Sequence, residues 1–561
     1  MNEFLRILGY SPGLYWGSGI LACLIWGWSC GAGSGVGGRL GRPTSPWFFA
    51  ATLLLAMIAV RWPTLLHYRT VNPDEPQFIA GALTMVARWD FWWPDGTTSG
   101  PLVLAAPALP ALLGLPVSLI SGRFVALLLG WGTVVALYLT LRHFHGDPRA
   151  RHLSSPLAVF MICLDFWDFC IYASEWVPLF LCAVAAWLVF TAFDLNGRLT
   201  RRPRAWAAGA ILGALPFSKL QSLPIGAVLG LGLCALILRQ PGAEHTRRWR
   251  DLAGVIAATL GTFAGFCLWL EASGERPHFV TAYLEHNAHY AGSRWVPWDE
   301  ALPGLHYLTG ISWGFTSFHY GLIALLILGL PALWRSGTAV RFPLIICWMM
   351  LAAAYFSVAA PGRVYPHYLL FLTLPLALTT GLQFGILLDR TPGRPSSVHL
   401  GLVTAFLLVG SAGQLVEWAC FHPSRNRLVT LRPPHADVIT YLNSMKQPGD
   451  TLAVWGWRPE LYVESQLPQA TRDAHTERQM SENPQRDYFR AVYLSDLKQS
   501  RPAFFVDAVS PGGFLYQDPT KAGHQTVPDL ATYIASNYDL AGVFDSYPVY
   551  LRRDRSRALR Q

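Results

Sequence analysis

Lysine is scarce in this chain: the 561 residues hold only Lys219, Lys446, Lys498 and Lys521, so the net charge of +9 is almost wholly arginine. Charge of either sign is scarce too, at 14% of residues where a soluble globular protein carries roughly a quarter. That shortfall excludes an ordinary water-soluble chain. The arginines lie in short loops between apolar stretches rather than on one basic surface, which excludes a nucleic-acid partner and fits the loop-charge rule for membrane proteins. Cysteine is absent from the tail: all nine, from Cys23 to Cys420, lie in or beside apolar segments. A disulfide framework and a cysteine metal site are therefore not expected. No P-loop occurs, and the tail shows no nucleophile elbow. The glycines between Gly33 and Gly38 follow no strand and open no helix, so they are not a dinucleotide loop.

Long apolar runs are abundant, at 52% hydrophobic residues overall. Stretches of about 17 to 25 apolar residues can cross a bilayer as helix. They predict eleven spans near 47–66, 122–142, 153–173, 176–195, 205–218, 222–238, 252–271, 307–334, 342–360, 364–388 and 398–420. The fold class expected is an all-α polytopic membrane domain over 45–420 with a small C-terminal α/β domain over 421–561. Residues 1–44 form an N-terminal segment whose apolar run Tyr15 to Cys30 is an extra span, a re-entrant piece or an anchor. The stretch 101–119 is apolar, but Pro101, Pro107, Pro110 and Pro116 argue against a regular span, so it is read as interfacial.

Alternate loops differ in charge. One set carries Arg142, Arg149, Arg151, Arg198, Arg201, Arg202, Arg204, Arg239, Arg247, Arg248, Arg250, Arg335, Arg341, Arg390 and Arg394, and is placed in the cytoplasm. The loops 67–121 and 272–306 and the tail then face outward, on the far side of what reads as a bacterial cytoplasmic membrane.

Candidate chemistry gathers on that outer side. Asn72-Pro73-Asp74-Glu75-Pro76 sets two carboxylates at the membrane surface, either as the acidic start of a helix opened by Pro76 or as a general base. Asp165, Asp168 and Glu175 follow at steps of three and seven, on roughly one helical side, and ionisable groups in a span are costly enough to point to function. Snorkelling to the interface is the plainer reading of Asp165 and Asp168. Cations lie on the same side: Lys219, and Arg363 with His367 and Tyr368 in Pro361-Gly362-Arg363-Val364-Tyr365-Pro366-His367-Tyr368. They are either interfacial anchors or the partners that a departing phosphate needs. Glu285, His286 and His289 are the one trio from which a divalent metal site could be built, or they are polar surface; no cofactor is expected.

Nucleotide sugars are cytoplasmic and these groups are outward, so a sugar donor for this site is lipid-linked. At these residues the chain resembles the GT-C membrane glycosyltransferases, in the bacterial group related to protein O-mannosyltransferases and the lipid A aminoarabinose transferase. The likeness rests on Asp74-Glu75, Trp93-Pro94-Asp95-Gly96, Gly100-Pro101-Leu102, Ser218-Lys219 and Arg363 to Tyr368, and runs along most of 45–420. It implies a polyprenyl-phosphate donor held in an apolar groove, with Asp74 as base and Glu75 beside it. Glu175 stands where the group usually has Asp. The group's lysine before its Pro-Pro-Leu-like element is replaced by Ser99-Gly100, which leaves Lys219 or Arg363 to hold the phosphate. The acceptor is a glycan, lipid or protein.

The tail reads as strands Thr451 to Trp455, Ala503 to Asp507 and Val549 to Arg552, with helices near 434–446, 484–499 and 527–537. It is a scaffold over the outer face or a reader of the acceptor. Two competing classes are a transporter or lipid flippase, which predicts paired broken helices and polar residues at mid-membrane depth, and a polysaccharide polymerase or ligase, which predicts a basic mid-chain outer loop.

Overall fold

Backbone in lipid must satisfy its own polar groups, so long apolar stretches become helices. In the computed structural model, which describes residues 12–31, 45–66, 70, 72–164, 166–292, 298–335, 338–389 and 435–560, they do. Among the described residues seven helices are long and apolar enough to cross a membrane: Pro46–Leu65, Leu119–His145, Leu220–Leu238, His245–Ser273, Trp313–Leu330, Val340–Ala359 and Pro366–Leu387. The chain is a multi-pass membrane protein. Trp176–Ala192 and Arg202–Ala214 are shorter.

Two expected spans are broken. The stretch 153–173 is not one helix: Asp147–Ile162 ends at Cys163, and only the turn Trp167–Cys170 follows. The span 307–334 divides into Trp298–Thr309 and Trp313–Arg335, because Gly310 follows the first helix and Ser312 Oγ accepts from Phe315 N at 3.1 Å to cap the second. Pro12–Gly31 is a 20-residue helix joined to Pro46–Leu65 by a bond from Thr52 Oγ1 to Ser29 Oγ. The expected span 398–420 lies outside the described residues.

The chain groups into two compact units, so packing does not divide it simply at residue 420. The first comprises Met1–Leu66, Ala126–Trp269 and Tyr290–Val429. Its central element is Leu370–Asp389, buried along its apolar length by Trp313–Arg335, Thr338–Ala359 and Asp147–Ile162. Gln383 within that helix is satisfied by Leu326 O at 2.6 Å and Trp348 Nε1 at 3.2 Å, as a polar group in a membrane core must be. Arg202–Ala214 approaches His245–Ser273 through Gly209 and Gly213, where a Cβ would meet Val255 O at 2.8 Å and collide with Thr259 O.

The second unit joins His67–Val125 and Leu270–His289 to Thr430–Gln561. Its sheet consists of β1 Leu452–Trp455, β2 Phe504–Asp507, β3 Tyr538–Phe544 and β4 Tyr547–Arg552, in the order β1-β2-β4-β3. β1 and β2 are parallel and the other pairs antiparallel. Trp455, Phe505, Tyr493, Leu497, Leu530 and Ile534 fill the core between the sheet and helices Arg486–Ser500 and Pro528–Asn537. The predicted helix near 434–446 is Ala436–Met445, and β3 is a strand that the pattern did not predict.

The same unit holds helix Glu75–Arg88, opened by Pro76 and ended by Trp89 at φ 54°, and the apolar stretch Pro101–Ala108 with its 3-10 continuation Leu109–Leu113. Leu109, Leu112, Leu113 and Leu115 are exposed there, as an interfacial segment requires.

Candidate active site

In the first unit, the break that Pro216 imposes after Arg202–Ala214 leaves Lys219 extended at φ −155°, ψ 124°, ahead of Leu223–Leu238. Its side chain is buried: Lys219 Nζ donates to Glu175 Oε1 and, at 2.6 Å, to Ser174 Oγ. Glu175 sits at the N-cap of Trp176–Ala192, where the helix dipole favours a carboxylate. His367 Nε2 lies 4.0 Å from Glu175 Oε1, and Lys219 Nζ lies 4.9 Å from the Tyr368 ring centre.

Both His367 and Tyr368 are buried in the turn Pro366–Leu369, which Pro366 starts by forcing Tyr365 extended. The structure thus brings together Glu175, Lys219, His367 and Tyr368. Tyr290 carries Arg363 over its ring, with the guanidinium carbon 4.4 Å from the centre. Arg363 has no carboxylate partner among the described residues, and its Nε is buried without a hydrogen-bond acceptor. Lys219, by contrast, is already neutralised by Glu175.

Asp168 is buried in the turn Trp167–Cys170, and Asp165 lies outside the described residues. The expected common helical side for Asp165, Asp168 and Glu175 does not hold, because the helix ends at Ile162 and Glu175 opens the next long one.

In the second unit the two adjacent carboxylates part. Glu75 is fully buried and takes a two-point bond from Arg123, Nε to Oε1 at 2.7 Å and Nη2 to Oε2 at 2.5 Å. Asp74 is partly exposed at the N-cap position, yet its side chain makes no capping bond to the helix. Asn72 shapes the loop instead, its Oδ1 accepting from Asp74 N at 2.8 Å and its carbonyl from Glu75 N at 3.3 Å.

Asp95, from the Trp93-Pro94-Asp95-Gly96 motif, is the hub of a buried network. Its carboxylate accepts from Thr97 N at 2.6 Å, Arg478 Nη2 at 2.6 Å and the His278 ring at 3.0 Å; Arg478 also donates to Asp473. Burial alone would raise its pKa, but Arg478 and His278 outweigh burial and hold it well below the usual carboxylate range.

The trio Glu285, His286 and His289 does not converge. Glu285 is exposed, whereas His286 is buried edge-on to Phe489, and no group of three metal-ligating residues occurs among the described residues. Burial first, then Arg478, pushes His286 down to about 4.

His475 stacks on Trp457 with ring centres 3.7 Å apart, and its Nε2 meets Gln77 Oε1 at 2.9 Å. Burial, reinforced by Arg478, pushes His475 down to about 3. Because the folded pKa lies below the ordinary 6.5, the unfolded chain gains a proton first. The stability from neutral His475 is complete above about pH 6.5 and drains as pH falls toward 3. Unfolding of the purified full chain between pH 7.5 and 5 should show a falling midpoint. His475→Phe, which keeps a ring against Trp457, should fall less steeply.

Sequence reasoning missed Arg123, Arg478, His475 and Trp457. Each is charged or aromatic near an expected outer segment, and nothing in spacing marks its partner.

No protein-family model matches the chain, and no curated protein matches it in sequence. Solved structures do. ArnT from Cupriavidus metallidurans in the apo state superposes with a TM-score of 0.56 at 16% identity, over 90% of this chain and 98% of that one. The same protein bound to undecaprenyl phosphate gives 0.58 at 15% identity, over 90% and 97%. At such identities the likeness is one of architecture, and what it establishes is that the chain shares the fold of ArnT.

Proposed function

We propose that the protein transfers a sugar from a polyprenyl-phosphate donor to an acceptor hydroxyl or amine at the outer face of a bacterial cytoplasmic membrane. The acceptor attacks the anomeric carbon as the bond from that carbon to the phosphate oxygen breaks. The electron pair leaves on the phosphate and Asp74 takes the acceptor's proton, while attack from the face opposite the departing phosphate inverts the anomeric centre. The fold shared with ArnT, which binds undecaprenyl phosphate, supports the donor class.

The observation that carries the reading is Arg363. A guanidinium with a buried, unmet Nε donor and no carboxylate among the described residues is prepared for an anion. Lys219 and Glu175 neutralise each other, so their part is to hold Tyr368 and His367 beside that cation rather than to supply net positive charge. An apolar groove of about 540 Å³ lined by Leu212, Gly226, Gly230, Cys234, Val255 and Leu260 offers the hydrocarbon surface that a prenyl chain needs.

The test is binding of undecaprenyl phosphate to purified protein without acceptor. Arg363→Ala should weaken it about ten- to hundredfold, the worth of a charge-assisted contact. Arg363→Lys should restore only part, since the planar fork is lost. Wild-type affinity in Arg363→Ala would remove Arg363 from the donor site.

A further inference from the structure

The Asn72–Asp74 loop is held from the far end of the chain. Trp457 Nε1 donates to Pro73 O at 3.2 Å, the carbonyl immediately before Asp74. The other face of the arrangement is His475, stacked on the same indole at an interplanar angle of 7°. His475 Nδ1 accepts from Glu477 N at 3.4 Å, which leaves the proton on Nε2 and makes that nitrogen the donor to Gln77 Oε1. Gln77 lies in the first turn of the helix that Asp74 precedes, so the two bonds grip the loop on both sides of the carboxylate. His475 stays neutral in this burial, so the tautomer persists through ordinary pH.

The gripping residues are themselves fixed. Gly456, at φ 118°, donates its N–H to Thr476 Oγ1 at 2.7 Å and accepts from Thr476 N at 3.1 Å, tying the segment after β1 to that of His475. Further along Glu75–Arg88, Thr84 Oγ1 accepts from Gln469 N at 2.9 Å, and beyond that helix Asp95 N donates to Arg472 O at 3.0 Å. General-base chemistry needs the carboxylate within hydrogen-bond reach of one proton, and bonds to the loop on both sides of Asp74 narrow the positions it samples.

We infer that Trp457 and His475 of the C-terminal domain are positioning residues that fix the Asn72–Asp74 loop, and through it the base, for proton abstraction. They do not touch the reacting atoms. The inference rests on Asp74 being the base, and it gives the tail a task in the reaction itself.

The experiment uses the full chain and four variants. Trp457→Phe keeps the stack and removes the N–H; His475→Phe keeps the stack and removes the Nε2 donor; His475→Gln retains an amide donor; Asp74→Asn removes the base. Three quantities are read: exchange of the backbone amides of residues 74–78, undecaprenyl phosphate binding, and the envelope glycan or lipid product that disappears when the protein is deleted, quantified by mass spectrometry at matched protein level. In Trp457→Phe the amides should exchange faster and product formation should drop about fivefold, the worth of one neutral hydrogen bond, with lipid binding unchanged. His475→Phe should behave likewise, and His475→Gln should recover part of the loss. Unchanged exchange in 74–78, or product at the wild-type rate in both Phe variants, overturns the positioning role. Normal product from Asp74→Asn overturns the base assignment instead, and the exchange data then judge the grip on the loop by themselves.

Discussion

Asp74→Asn is expected to lower transfer by about 100- to 10,000-fold while leaving the protein folded and inserted, because the amide keeps the size of the carboxylate and cannot accept the acceptor's proton. Asp74 is partly exposed and makes no side-chain bond to the helix N-terminus behind it, so its charge is not needed to start Glu75–Arg88. The measurement is product formation by mass spectrometry together with binding of undecaprenyl phosphate. Transfer should collapse and binding should persist. Transfer within a fewfold of wild type would place the base elsewhere.

Glu75→Gln should show a different failure. Its carboxylate and the Arg123 guanidinium are 0% and 1% exposed, and removing one charge takes from the other its two-point buried bond, at a cost of about 3–5 kcal/mol. Arg123→Met should cost about as much, whereas the double variant Glu75→Leu with Arg123→Met, which removes both charges together, should recover most of the stability. Denaturant unfolding of the four proteins in one detergent checks this. If Glu75→Gln loses transfer but keeps wild-type stability, Glu75 takes part in the chemistry and not only in the packing that holds the loop.

These two variants show where sequence was informative and where it was not. That two carboxylates mark the start of a helix follows from Asp74-Glu75-Pro76 alone. Which of them is committed depends on Arg123, 48 residues later, and no local pattern connects the pair. The same holds for Glu175 and Lys219, 44 residues apart: position near the ends of apolar stretches was legible, mutual neutralisation was not. Arg363 looked like one cation among several, and only the pairing of Lys219 makes it distinct.

Apolar length predicted most of the long helices, since lipid leaves a chain few other options. It misjudged 307–334 because hydropathy runs through Gly310 and Ser312, a stop and a cap that were present in the sequence. The break after Ile162 has no proline or glycine to announce it. In the tail, β3 was missed although β3 and β4 meet at Asp545-Ser546, both at positive φ (49° and 70°); that is a tight hairpin turn built without glycine, and so without its usual signature.

The bonds that grip the base loop span great lengths of chain: 384 residues from Pro73 to Trp457 and 398 from Gln77 to His475. A ribosome adding about 5 to 20 residues per second needs roughly 20 to 80 s to make that interval. During all of that time the loop exists outside its grip. A nascent or truncated chain that ends before Trp457 therefore carries the Asn72–Asp74 loop without either of these bonds, and on the proposed function it is expected to be an inert membrane protein.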